Sequence, residues 1–260
     1  MSESRLSRRD LFTASAAACA VTVLKPGAAE ARSYSGEVPW APGEANAPRP
    51  VAPGPYQFFT ADEAAFIDAA VARLVPADEL GPGAKEAGVT TFLDRQLAGS
   101  YGKAQRWYMQ GPWQEGDKTQ GYQSRLTPAQ LYRAGIKAID DHCRKQYQDK
   151  AFTALSTDRQ DEVLTALEKG DLKLPGLGPH PIEIENAAGD TFFSQLMQNT
   201  IEGFFADPLY GGNKDMIGWK LIGFPGARYN YLPYVSEHGK KLALDPVGIE
   251  GRAAWTPQGS

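Results

Sequence analysis

The side chains in this sequence that could do chemistry are few and scattered. The three histidines, His142, His180 and His238, lie far apart. No C-x-x-C, H-x-x-H or H-E-x-x-H spacing occurs, so a zinc site has no local support. There is no P-loop, and no G-x-G-x-x-G between a strand pattern and a helix pattern. The nearest approach to a polar constellation is Asp207, Lys214 and Asp215, with His238 further on. Hydrolytic chemistry there would depend on the fold to assemble it. Of the two cysteines, Cys19 falls in an N-terminal leader pattern, which leaves Cys143 alone. One thiolate cannot hold an iron–sulfur cluster. Cys143 reads in two ways: a small buried residue on a helix stripe, or one half of an inter-subunit disulfide in an oxidising compartment.

The leader pattern is the strongest local signal. Residues 7–12 read S-R-R-D-L-F, with Arg8 and Arg9 adjacent. A modestly apolar run rich in Ala, Val and Thr follows, then Lys25 and the sequence A-E-A ending at Ala31. A charged start, an apolar middle and a small-residue cleavage site make an export signal over residues 1–31. The paired arginines point to the twin-arginine translocase, with cleavage after Ala31. The apolar run is too short for a comfortable membrane span of about 20 residues. The expected location is therefore the periplasm, in a soluble or peripherally held form.

Charge excludes one class of partner. The chain carries a formal net charge of −4, and removal of residues 1–31 makes it slightly more negative. No basic excess is available to meet phosphate backbones, so nucleic acid is not an expected partner. Residues 32–57 are rich in Pro, Gly, Ala and Ser and cannot form a core of their own. They read as an extended arm with Trp40 as its one large apolar anchor, or as a spacer behind the signal.

The remaining chain, residues 58–260, reads as one helical domain. Thr60 and Glu63 form a capping box ahead of Phe66, Ile67, Ala70, Val71 and Leu74 at helical spacing. A second short helix carries Val89, Phe92, Leu93 and Leu97. Residues 101–122 hold many aromatics among polar residues; they begin as a helix, end as a loop, and form either a contact surface or a self-packed arm. Thr127 and Pro128 start a helix whose apolar face runs from Tyr132 to Cys143 and Tyr147. Ser156 or Thr157 caps the next, and Gly170 ends it. Residues 190–207 are the most apolar helix and the expected core element. Beyond Pro208 regular structure is expected to cease in a glycine-rich, aromatic loop. Strand signals are weak throughout, so the fold class is all-α or nearly so, with long ordered Gly/Pro/aromatic-rich loops.

Three segments carry a resemblance. They are F-F-T-A-D-E from Phe58 with L-V-P-A-D and G-A-K-E-A-G after it, T-F-F-S-Q-L from Thr191, and D-P-L-Y-G-G-N-K from Asp207 with G-W-K-L-I-G-F-P-G from Gly218. In this order, behind a twin-arginine signal, the chain resembles the gluconate 2-dehydrogenase subunit 3 family. The resemblance implies a non-catalytic small subunit of a membrane-bound flavin dehydrogenase acting on sugars, sugar acids or polyols, with gluconate as the favoured substrate. It implies that FAD, with or without an iron–sulfur cluster, sits in a large subunit, and that a multihaem cytochrome c subunit carries haem c. No catalytic, cofactor or metal residues transfer to this chain. Its implied role is to support folding of the large subunit and to lend it the export signal.

The residues offer candidates for the interface such a role requires. Aromatic residues and arginine dominate protein contacts. Trp40, Trp107, Trp113, Trp219, Phe224, Arg228, Tyr229 and Tyr231 are the candidates here. The alternatives are an independent periplasmic enzyme built around Asp207, or a sugar-binding module using the same Trp and Tyr faces.

Overall fold

The computed structural model describes residues 54–111, 122, 124–172, 174, 187–228, 231–240 and 244–249. The expected signal residues Arg8, Arg9 and Ala31, and the interface candidates Trp40, Trp113 and Tyr229, lie outside them. Six α-helices follow in order: α1 Ala61–Leu74, α2 Val89–Ala98, α3 Pro128–Gln146, α4 Thr157–Glu168, α5 Ala187–Phe205 and α6 Ile217–Ile222. Short 3-10 turns add Phe152–Ala154, Pro208–Tyr210, Lys214–Met216 and Leu232–Tyr234. Among the described residues the only extended pairings are two single bridges, so the class is all-α.

Local chemistry starts these helices where the sequence says it should. The Thr60 hydroxyl accepts from the Glu63 N–H, and the Glu63 carboxylate accepts from the Thr60 N–H. Thr127 and Gln130 repeat the exchange at α3, with Pro128 in the first turn. Each such cap contributes roughly 1 kcal/mol. Ser156 takes the N-cap position of α4, but its hydroxyl makes no capping bond. Gly170 adopts φ +71 after α4, and its N–H bonds to the Leu167 carbonyl, as a C′ glycine should.

Helix α5 is the centre of the bundle. It touches α1, α2, α3, α4 and α6. Phe192, Leu196 and Phe204 are buried along it, and they meet Phe66, Phe92, Tyr132, Ile139 and Leu167 in one continuous core. Burial of each large apolar side chain contributes roughly 1.5–3 kcal/mol. The helix begins at Ala187, earlier than the expected residue 190.

Residues 101–106 form turns rather than the expected helical start. Ala104 sits at φ +50, a left-handed conformation that interrupts a helix. The segment packs on its own domain. The Tyr101 hydroxyl lies 2.9 Å from Asn199 Oδ1 and 3.1 Å from Gln195 Oε1 on α5. Trp107 stacks edge-on against Tyr101 and tilts over Tyr122. Tyr132, fully buried, donates its hydroxyl to the same Asn199 Oδ1 at 2.9 Å. Among the described residues no buried side-chain polar atom lacks a partner.

One buried carboxylate joins the entering chain to this bundle. Asp94 on α2 is fully buried. Its Oδ1 accepts from the N–H groups of Gln57, Phe58 and Phe59, at 3.0, 2.8 and 2.9 Å. Its Oδ2 accepts from Gln57 N–H at 2.8 Å and from the Arg95 guanidinium at 3.0 Å. Arg133 on α3 donates to the Phe58 carbonyl, lies over the Phe58 ring and pairs with Glu63. The entering chain is therefore held by α2 and α3 at once.

Cys143 lies in the core, fully buried among α3 neighbours. That position is the one the packing alternative describes. Burial pushes the thiol from 9.0 up to about 12, with Asp140 adding to it. Burial likewise pushes the Tyr101 hydroxyl from 10.0 up to about 12.

Asp94→Asn replaces one acceptor oxygen with a donor that faces other donors. It should cost roughly 3–5 kcal/mol in urea unfolding. The raised Cys143 and Tyr101 values set an alkaline limit. Between pH about 9 and about 12 the folded chain keeps protons that the unfolded chain has lost. Stability must fall as pH rises through that window. Thiol reagent at neutral pH should leave Cys143 unmodified until denaturant is added.

Candidate functional site

The glycine-rich segment after α5 is a clasp closed on that helix's C-terminus. A helix ends with carbonyls that have no partner within it. Here two side chains supply the donors. Asn213, fully buried, donates its Nδ2–H to the Ala206 carbonyl at 2.8 Å. Trp219 on α6 donates its indole N–H to the Phe205 carbonyl at 2.8 Å. Asn213 Oδ1 then accepts the Gly218 N–H at 2.8 Å, which fixes the start of α6. The Lys214 N–H reaches the Ala87 carbonyl at 2.9 Å, so the clasp also ties to the loop before α2.

The glycines in the motif allow this approach. A Cβ on Gly212 would overlap the Gly203 carbonyl, and one on Gly218 would overlap that of Phe204. Three non-glycine residues in the same turn, Asn213, Asp215 and Met216, hold φ of +46, +56 and +57. Such conformations cost of order 1–3 kcal/mol each and persist only where the surroundings impose them. The consequence is a separate short helix, α6, where the sequence suggested loop. Its Trp219 turns inward and its Leu221 and Ile222 turn outward.

A small C-terminal lobe is built on α6. The N–H of Ala227 bonds to the Val247 carbonyl at 2.7 Å, beside a Gly226–Val247 bridge. Asp207 holds the same tail from below: its Oδ1 accepts the Leu209 N–H at 3.0 Å and its Oδ2 accepts the Ile249 N–H at 2.7 Å.

The structure sorts the candidate residues. Trp219 is 5% exposed and serves the clasp, so it is not an interface residue on the surface. Phe224 is 42% exposed, with its ring edge against Trp219. Arg228 is turned to the lobe's own backbone, donating to the carbonyls of Pro225 and Asp245. Tyr231 stands partly exposed and donates its hydroxyl to the Gly226 carbonyl at 2.5 Å. Trp107 is 37% exposed at the far aromatic cluster. Asp207 is used by the backbone N–H groups of Leu209 and Ile249 rather than by Lys214 or His238, which are exposed, as is Asp215. Among the described residues no three metal-ligating side chains come together.

Sequence reasoning missed Asp94, Asn213 as a cap and the inward role of Trp219. A faint signal existed for Asn213: an Asn after two glycines suits a left-handed turn. Asp94 gave none, because its partners are backbone groups more than thirty residues away.

Asn213→Ala loses two buried hydrogen bonds and puts alanine, which tolerates the left-handed region less well than asparagine, at φ +46. It should cost roughly 2–4 kcal/mol in urea unfolding. Asn213→Gly frees the backbone but loses the same bonds, so its midpoint should fall between wild type and Asn213→Ala.

The comparison with known families bears on these elements together. The model of gluconate 2-dehydrogenase subunit 3 matches residues 61–226. No curated protein and no solved structure matches the chain. The matched span opens on the first residue of α1, contains Asp94, all six helices and the clasp, and closes at the glycine that pairs with Val247. The chain belongs to the gluconate 2-dehydrogenase subunit 3 family.

Proposed function

We propose that this chain is the non-catalytic small subunit of a periplasm-facing, membrane-bound flavin dehydrogenase that oxidises D-gluconate to 2-dehydro-D-gluconate. The family match over the whole helical body carries the reading. Use of the polar residues supports it: Asp94, Asn199, Asp207 and Asn213 are all engaged in holding backbone or neighbouring side chains. FAD bound by a large subunit would supply the redox chemistry, and a multihaem cytochrome c subunit would accept the electrons at the membrane. This chain would contribute shape and an address.

The address is the Arg8–Arg9 signal, and it works for two chains only if they are docked before export. The Asp94 grip suits that task. It ties residues 57–59, where the chain enters α1, to α2 and α3, so the folded body has a fixed entry point.

Arg8→Lys with Arg9→Lys keeps the charge and removes the paired guanidinium groups. In cells carrying that variant, fractionation should find the large subunit, with its flavin, in the cytoplasm. Normal periplasmic delivery of the large subunit would contradict the shared-signal reading.

A further inference from the structure

The turns that follow α2 present a knuckle of side chains that the helical core does not use. The Ala104 N–H bonds to the Tyr101 carbonyl at 2.9 Å, the Gln105 N–H to the Ser100 carbonyl at 3.1 Å, and the Trp107 N–H to the Ala104 carbonyl at 3.0 Å. Ala104 is buried at φ +50, while Lys103, Arg106 and Tyr108 around it are exposed. Tyr108 is 80% exposed and Trp107 37%. The side chains of Lys103 and Arg106 make no hydrogen bond or ion pair among the described residues. Residues 98–111 contain no carboxylate at all.

We propose that this knuckle is an anchor by which the chain docks the large flavin-bearing subunit, at a cleft with an apolar floor and carboxylates on its rim. The inference rests on the reading of the chain as a small subunit and assigns that role a place. Two unpaired cations beside two open aromatic rings, on a chain of net charge −4, call for an acidic partner. Arg, Trp and Tyr are also the residues that carry most binding energy at protein contacts. An anionic lipid surface fits less well. It would repel the chain as a whole, and each of two cations gains only about five-fold in affinity there.

The knuckle is held ready for contact. The Gly102 N–H bonds to the Gln96 carbonyl on α2, and the Gly102 carbonyl accepts the Ala129 N–H of α3 at 3.0 Å. A Cβ on Gly102 would overlap the Leu97 carbonyl. Tyr101 is tied to Asn199 on α5, and Trp107 leans on Tyr101 and Tyr122. The left-handed Ala104 is the kind of local strain that surrounding structure sustains at functional positions. Side chains ordered before binding lose little freedom on binding. At about 150–250 Å² per aromatic, the knuckle supplies part of the about 800 Å² that a stable complex takes from each partner, so it is the anchor of the contact and not its full extent.

The test uses the full chain, tagged and expressed in its own host. One variant carries Lys103→Glu with Arg106→Glu, and a second carries Tyr108→Ala. A control carries Lys145→Glu with Lys150→Glu, the same charge change at the opposite end of α3 from the Gly102–Ala129 bond. A photo-crosslinking residue replaces Tyr108 in a further sample. All of these side chains are exposed, so the variants should keep the wild-type circular dichroism and melting curve. The charge reversal should cut co-purifying flavin by about ten-fold or more, Tyr108→Ala by several-fold, and the control not at all. Flavin should leave the wild-type chain as salt is raised, and the crosslink from 108 should join it to the flavin-bearing polypeptide. Wild-type flavin yield from the folded Lys103→Glu/Arg106→Glu variant, an equal loss in the control, or crosslinks from 108 only to lipid, to a cytochrome or to a second copy of this chain would overturn the assignment alone. Absence of any flavoprotein with the wild-type chain would overturn the small-subunit reading as well.

Discussion

A buried carboxylate that must be compensated governs how this chain is put together. Moving an ionised group out of water costs several kcal/mol unless donors replace its hydration. Asp94 meets that demand with three successive backbone N–H groups and one guanidinium. The N–H groups belong to the residues just before α1, so satisfying the charge also fixes where the chain enters. Once Phe58 is seated, Arg133 can bond its carbonyl, cover its ring and pair with Glu63. Glu63 is in turn half of the capping box that starts α1. A charge on α2 thereby organises the first turn of one helix and the exposed face of another.

The opposite end of the core follows a similar logic with neutral groups. The last carbonyls of α5 need donors, and the chain folds back to supply them from Asn213 and Trp219. Close backbone approach and left-handed turns come with that solution, which explains the glycines at 212 and 218. The result divides the molecule by purpose. The bundle around α5 provides stability, and the lobe on α6 carries apolar side chains that the bundle does not cover.

What could be read from the sequence was what acts locally. Thr60 with Glu63, and Thr127 with Pro128, lie within one helical turn of each other, so these helix starts were visible; the Gln130 half of the second box was not read. The stripe from Phe192 to Phe205 follows the helical period and marked α5 as the core. The family resemblance lay in the same segments that build α1, α5 and the clasp. What was hidden acts at a distance. Asp94 looked like one more polar helix residue, because backbone N–H groups leave no trace in composition. Trp219 looked like a surface aromatic in a loop, yet a buried indole N–H needs an acceptor, and the Phe205 carbonyl is fourteen residues upstream. Six residues, with Gly218 among them, were too few for α6 to show a period.

The central claim is that this chain works as part of a flavin dehydrogenase and does no redox chemistry alone. The most direct measurement is the visible absorption spectrum of material purified from its own host through a tag on this chain, taken before and after addition of D-gluconate. The account predicts a flavin band that bleaches with gluconate, haem bands that turn to the reduced form, and a larger polypeptide in fixed ratio to this one. A colourless preparation of this chain alone, unchanged by gluconate and complete in its own activity, would contradict it.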